Sequence, residues 1–228
     1  KVYQLGFRNP FRLTTHPDTG QLFIGDVGWT QWEEINAGEA GANFGWPYYE
    51  GADGVLERTI DYSNFPEAIV FYASGAEVTP SVHALNHAAT GINAVVLGDF
   101  LSGEQVPEEF RGDLLFNDLG QGIVRHISFA ADGSVESVNR FTSGANVVVA
   151  MRQGPDGRIY YVDLDDGLIG AWAFESESTN NLSRSLAVDR ILSSDQDLLG
   201  STRPSQPVRI RPAGDAPASV AEELPRAA

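Results

Sequence analysis

The residues best suited to chemistry crowd into positions 6–50. Gly6-Phe7-Arg8-Asn9-Pro10 sets a cation and an amide directly before a proline, which pushes Asn9 out of helical geometry. Arg8 offers a planar fork suited to a carboxylate ligand, and suits equally well a structural bridge to one of the many aspartates. Gly25-Asp26-Val27-Gly28-Trp29 and Trp32-Glu33-Glu34-Ile35-Asn36 follow. On a strand, adjacent side chains point to opposite faces, so Glu33 and Glu34 cannot work as a catalytic carboxylate pair. One inward carboxylate beside the exposed carbonyls of a glycine-rich loop is a reasonable calcium site, because calcium takes hard oxygens from both. Gly41-Ala42-Asn43-Phe44-Gly45-Trp46-Pro47 then supplies small residues that permit close backbone approach.

Something must hold these segments in place, and the chain repeats one strand pattern three times. Gly20-Gln21-Leu22-Phe23-Ile24-Gly25-Asp26, Gly112-Asp113-Leu114-Leu115-Phe116-Asn117-Asp118 and Gly157-Arg158-Ile159-Tyr160-Tyr161-Val162-Asp163 each run from a turn glycine through three apolar residues to an aspartate. Short apolar runs bounded by turn residues fit strands buried on both faces. Asp118 and Asp163 lie 45 residues apart, which suits one four-stranded blade. Asp26 and Asp118 lie 92 apart, which suits two blades or one with a long insertion. Ile123–Phe129 and Ser134–Val138 form a hairpin about Ala131-Asp132-Gly133, and Gly167–Phe174 supplies a further strand. Sustained helical periodicity is absent from residues 1–175. The fold class expected is all-β: about three blades of a propeller over 1–175, followed by a largely disordered tail over 176–228 with room for one short helix.

Composition narrows the partners. Residues 1–175 carry 9 basic and 24 acidic groups of a chain whose formal charge is −16, so phosphate-rich nucleic acid is a poor partner. The apolar runs stop after about five residues, far short of a membrane span. There is no cysteine, hence no disulfide and no thiolate metal site. No leader is visible and the only methionine is Met151, so the chain is expected to be a fragment or processed product with upstream sequence missing.

Arg8-Asn9-Pro10, Gly25-Asp26-Val27-Gly28, Trp32–Asn36 and Ala42–Pro47, in this order and at this spacing, resemble the glucose/sorbosone dehydrogenase family. Its members are soluble six-bladed propellers, many using pyrroloquinoline quinone (PQQ) and calcium, with Hedgehog-interacting proteins as relatives. Thr90-Gly91, Gly112–Asp118 and Gly154-Pro155-Asp156-Gly157 carry the resemblance on to about residue 175. It implies an oxidoreductase acting on the C1 hydroxyl of a sugar, in the periplasm or outside the cell, present here as the C-terminal half and lacking its N-terminal blades. By that similarity Arg8 and Asn9 contact the quinone, and the Gly28 and Trp29 carbonyls hold the calcium that orients it. Glu34 and the Phe44 carbonyl belong to a second calcium. The family's general base is a histidine from an earlier blade, and none of His16, His83, His87 or His126 stands in its context.

The sequence also departs from the cofactor-binding members. They anchor the quinone with two arginines one residue apart, where this chain has Val147 and Val149, and with a lysine, where it has Gly120-Gln121. Arg125 and Arg152 are the cations nearest in sequence. The alternative implied is a non-catalytic, calcium-stabilised propeller that binds a glycan or a protein.

Overall fold

The computed structural model describes residues 1–51, 56–144, 146–174 and 210–212. β1 (Pro10–Thr15) begins on a proline, tolerated at the first position of a strand because no N–H is needed there. The chain reverses through Pro17–Gly20, with Gly20 at φ 69°, and returns as β2 (Leu22–Asp26) and β3 (Trp32–Ala37). An insertion follows: a small hairpin of β4 (Tyr49–Glu50) and β5 (Glu57–Arg58), then α1 (Pro66–Ser74). α1 starts with a proline in its first turn and stops at Gly75, which adopts the left-handed geometry (φ 68°) that favours glycine. β6 (His83–Asn86) then pairs with β3, giving the sheet order β1-β2-β3-β6. α2 (His87–Thr90) is a single turn capped by the Asn86 side chain.

Two further four-stranded antiparallel sheets repeat the plan without an insertion. β7 (Val95–Phe100), β8 (Leu114–Asp118), β9 (Ile123–Phe129) and β10 (Val135–Ser143) form the second. β11 (Val148–Gln153), β12 (Ile159–Asp163), β13 (Leu168–Phe174) and β14 (Ile210–Pro212) form the third. All three heptads are therefore the second strand of a blade. The 92-residue interval is one blade carrying an insertion, not two blades. The expected tail and its short helix lie outside the described residues, apart from Ile210–Pro212, which supplies the fourth strand of the third blade.

The blades pack face to face. Phe23, Ile35, Leu97, Phe116 and Ile127 fill the seam between the first two, and Leu115, Val124, Met151, Ile159 and Trp172 the next. Each such side chain contributes about 1.5–3 kcal/mol by leaving water. The Tyr161 and Trp172 rings stack at 3.9 Å, and Gly170 must lack a side chain because a Cβ would lie 2.3 Å from the Tyr161 ring. The inner strands β1, β7 and β11 lie side by side and meet at Asp99. Its Oδ1 accepts from Thr14 Oγ1 (3.2 Å) and pairs with Arg152, while Oδ2 accepts from Gln153 N (2.9 Å).

At the other end of the inner strands the three heptad aspartates do one job. Asp26 accepts from the backbone N–H groups of Arg8 and Asn9 at 3.0 and 2.7 Å. Asp118 accepts from Asn93 and Ala94 at 2.7 and 2.9 Å, and Asp163 from Asn146 and Val147 at 2.9 and 3.3 Å. In every blade the end of strand two captures the two N–H groups that lead into strand one. Asp118→Ala leaves both of these part-buried groups without their acceptor and is expected to cost about 1–3 kcal/mol in urea unfolding of the full chain, with Asp118→Asn costing less. Equal stability of Asp118→Ala and wild type would refute the clamp.

Candidate functional site

The resemblance residues come together around Asp26. With the Arg8 and Asn9 backbones held, Val27 N–H donates back to Asn9 O (3.1 Å), so the loop after β2 is tied to the segment before β1. The Arg8 side chain turns onto that loop: Nη1 donates to Val27 O (3.0 Å) and the guanidinium lies 4.6 Å over the Trp29 ring and 5.8 Å from Trp46. The anchor of the Arg8 side chain is thus a carbonyl rather than an aspartate side chain. Gly28 passes so close to Trp32 O that a Cβ would lie 1.5 Å from it, so glycine is obligatory there.

Glu33 and Glu34 do face opposite ways. Glu33 points into the seam with the second blade, where His87 Nε2 lies 2.8 Å from Oε1 and Val95 N–H donates to Oε2 (2.9 Å). Glu34 points toward the insertion and accepts from Asn36 Nδ2 (2.9 Å) and from the Gly51 N–H. Glu50, which sequence reasoning passed over, accepts from Trp29 N–H at 2.6 Å. Asp26, Glu34 and Glu50 thus border one small cavity of about 10 Å3, together with Arg8, Gly28, Trp46 and Tyr49. That is roughly the space of one water molecule or one ion.

Four carboxyls here, Asp26, Glu33, Glu34 and Glu50, are buried. Burial pushes Asp26 up to about 6 against the hydrogen bonds of Arg8 and Asn9, and pushes Glu34 up to about 7 against those of Asn36 and Gly51. Asp26 and Glu50 add to the rise at Glu34 by like-charge repulsion, and burial likewise raises Glu33 and Glu50. Asp163, in the same clamp two blades on, goes the other way. Burial pulls it up, but N–H donors from Asn146, Asp166, Val147 and Asp165 more than offset that and hold it below the usual range.

Phe44 lies apart from the small cavity, with its N–H on Leu5 O (2.9 Å) and its ring 4.9 Å from Phe7. Among the described residues no three imidazole or carboxylate side chains converge as a metal site. Val147 and Val149 are on the third inner strand and its approach, where Val149 O accepts from Arg12 Nε (2.9 Å). Arg152 cannot take their place, because it is paired with Asp99 at the far end of the strands. Arg125 is on the Gln121 side, its Nη2 donating to Gln121 Oε1 (2.6 Å). A roomier cavity, about 840 Å3, opens at the far end beside Thr14, Asp99, Arg152 and Gln153. Of the resemblance residues, Gly154, Pro155 and Gly157 line it while Arg8, Gly28 and Glu34 do not, and Asp99, Arg152, Gln153 and Ser102 already satisfy one another. The remaining histidines serve local roles: His16 receives the Asp18 and Thr19 N–H groups in the first turn, and buried His126 lies 2.6 Å from Asp113.

With this geometry in view, the comparisons are direct. The profile of the Glucose / Sorbosone dehydrogenase family matches residues 1–169. The chain belongs to that family. Aldose sugar dehydrogenase YliI of Escherichia coli (strain K12) is 25% identical over 162 residues, covering 70% of this chain and 40% of that protein. A solved glucose dehydrogenase superposes with a TM-score of 0.53 at 24% identity, covering 73% of this chain and 45% of its own. The soluble aldose sugar dehydrogenase of Escherichia coli in its apo form gives 0.50 at 24% identity, over 70% and 42%. The PQQ-bound aldose sugar dehydrogenase of Streptomyces coelicolor is 18% identical, with a TM-score of 0.48 over 72% and 40%. The chain spans about two fifths of the length of the curated relative. Among the described residues no helix is long and apolar enough to cross a membrane.

The raised carboxyls have a pH signature. A carboxyl whose folded value exceeds its unfolded one costs nothing while protonated in both states. It destabilises the fold increasingly as pH rises from the unfolded value to the folded one, and fully above that. For Glu34 the window runs from 4.5 to about 7, and for Asp26 from 3.8 to about 6. The metal-free chain is therefore expected to lose stability between pH 5 and pH 8. Glu34→Gln, which still offers an acceptor to Gly51 and cannot ionise, should remove much of that loss. Denaturant midpoints at the two pH values check this; a wild type as stable at pH 8 as at pH 5 contradicts it.

Proposed function

We propose that the chain is part of a sugar dehydrogenase of the aldose-oxidising kind, acting on the C1 hydroxyl of a sugar outside the cytoplasm. The observation that carries this reading is the clamp at Asp26, which holds Arg8, Asn9 and the Gly28–Trp29 loop together at one end of the inner strands. The backbone of that loop is fixed on both sides, by Asn9 O through Val27 N–H and by Glu50 through Trp29 N–H. A loop so fixed can present its carbonyls to a ligand without reorganising. Calcium fits the donor chemistry of the acidic cavity, which offers hard oxygens and carboxylates that a cation would help to ionise. We assign Gly28 and Trp29 as the groups to test as ligands of one calcium, and Glu34 and Phe44 as those to test for a second.

PQQ, when bound in this family, takes up the hydride from the sugar. The residues of this chain fit only part of its needs. Its three carboxylates call for cations, each charge-assisted contact being worth about 1.5–3 kcal/mol. Yet Val147 and Val149 are neutral, Arg8 is engaged with Val27 O and Trp29, and Arg152 is at the far end. No step is therefore derived through the quinone. Those same valines favour a second reading, a calcium-stabilised propeller that binds a glycan or a protein without oxidising it.

The two readings separate in one experiment. The protein containing this chain, supplied with PQQ and calcium, is expected to reduce a redox dye on addition of an aldose. The double substitution Val147→Arg and Val149→Arg should tighten quinone binding at least tenfold, read from its absorbance change. No dye reduction and no absorbance change in either protein would remove the dehydrogenase reading and leave the second.

A further inference from the structure

Trp29 and the insertion place an aromatic surface beside the candidate site that neither the clamp nor the cavity uses. One face of the Trp29 indole is covered by the Arg8 guanidinium at 4.6 Å, yet the residue is still 47% exposed. Trp46 follows at 6.5 Å between ring centres, Tyr62 at a further 5.4 Å, and Phe65 at a further 5.8 Å. Phe65, at the start of α1, is 51% exposed. Trp46 and Tyr62 meet edge to face and the two outer pairs are tilted, so each ring rests against its neighbour. Trp46 and Tyr62 are half-buried between these two exposed rings, and aromatic side chains grouped in this way mark an interaction site.

We propose that Trp29, Trp46, Tyr62 and Phe65 form a stacking surface for the rings of an oligosaccharide, so that the ligand is a neutral glycan chain rather than a free monosaccharide. The C–H face of a sugar ring is apolar and slightly positive, and matches the negative face of an aromatic ring. Charge decides among glycans: Trp46 lines the small cavity that Asp26, Glu34 and Glu50 border with Arg8, three acids against one cation, which disfavours uronates and other anions. The surface leads away from the Gly28 loop, so a chain whose terminal ring sits there lays its later rings along Trp46, Tyr62 and Phe65. Only the position of that terminal ring rests on the sugar dehydrogenase reading.

The test is titration of the full chain with glucose, cellohexaose, laminarihexaose and maltohexaose, followed by calorimetry and tryptophan fluorescence. At least one hexasaccharide should bind tenfold or more tightly than glucose. Phe65→Ala should weaken that binding at least tenfold while the unfolding midpoint stays in place, and Trp29→Ala, which also uncovers Arg8, should weaken it at least as much. Hexasaccharide affinity no greater than that of glucose, or binding untouched by both substitutions, overturns the proposal. So does a lack of response to all three hexasaccharides, which gives the surface to a protein partner. Hexasaccharide binding without any dye reduction removes the dehydrogenase reading and keeps this one; dye reduction by glucose with no preference for chain length does the reverse.

Discussion

An aspartate at the end of each second strand, holding two backbone N–H groups that approach the first, is the contact on which the rest of this structure depends. A propeller blade leaves those N–H groups outside its own ladder, at the edge of a seam from which water is largely excluded. A buried donor without an acceptor is costly. A carboxylate solves this twice over, since each of its oxygens takes one donor. It also couples two things that would otherwise move independently: the direction in which an inner strand leaves the top of its blade, and the path of the loop after the second strand. The clamp is therefore both a stability device and a device that positions those loops.

The same clamp does different electrostatic work in different blades. In the third, Asp163 sees four backbone donors and no buried acid close by, so its ionised form is comfortable. In the first, the insertion brings Glu50 and Gly51 over the blade, and β3 contributes Glu33 and Glu34. Asp26 is then one of four acids in a poorly solvated space, and burial outweighs the hydrogen bonds that favour its charge. The insertion thus turns a structural aspartate into part of an acidic pocket with room for one small guest. Cation binding there would relieve a repulsion that the fold otherwise carries.

Much of the architecture was legible in the sequence because it is local. The heptads announce themselves through turn glycines, apolar runs and terminal aspartates, all within seven residues, and the opposed directions of Glu33 and Glu34 follow from strand geometry alone. What could not be read depends on distant partners. The 92-residue interval was ambiguous because an insertion and an extra blade have the same length. α1 was missed because its inward contacts, through Ala68, Phe71 and Tyr72, sit among exposed Ile69 and Val70 and give no apolar stripe. The pairing of His87 with Glu33 spans 54 residues, and that of Glu50 with Trp29 spans 21. No local signal predicts either. Similarly, Arg8 looked like a ligand-binding fork, and only the fold shows it turned back onto Val27 O and the Trp29 ring.

That turn of Arg8 bears on how the family resemblance should be understood. Conserving a residue type at a motif position does not conserve its use when the neighbours change. Here the residue after Gly28 is a large aromatic, and a guanidinium beside it gains more from the indole face and a carbonyl than from pointing into open solvent. The cations that would share the load of an anionic cofactor are replaced by Val147 and Val149. The one at Arg152 is tied into the Asp99 junction that joins the three inner strands. With Arg8 engaged and Val147 and Val149 neutral, the rings of Trp29 and Trp46 and not a free guanidinium border the Asp26 clamp, and the clamp itself uses only backbone N–H groups and is indifferent to either.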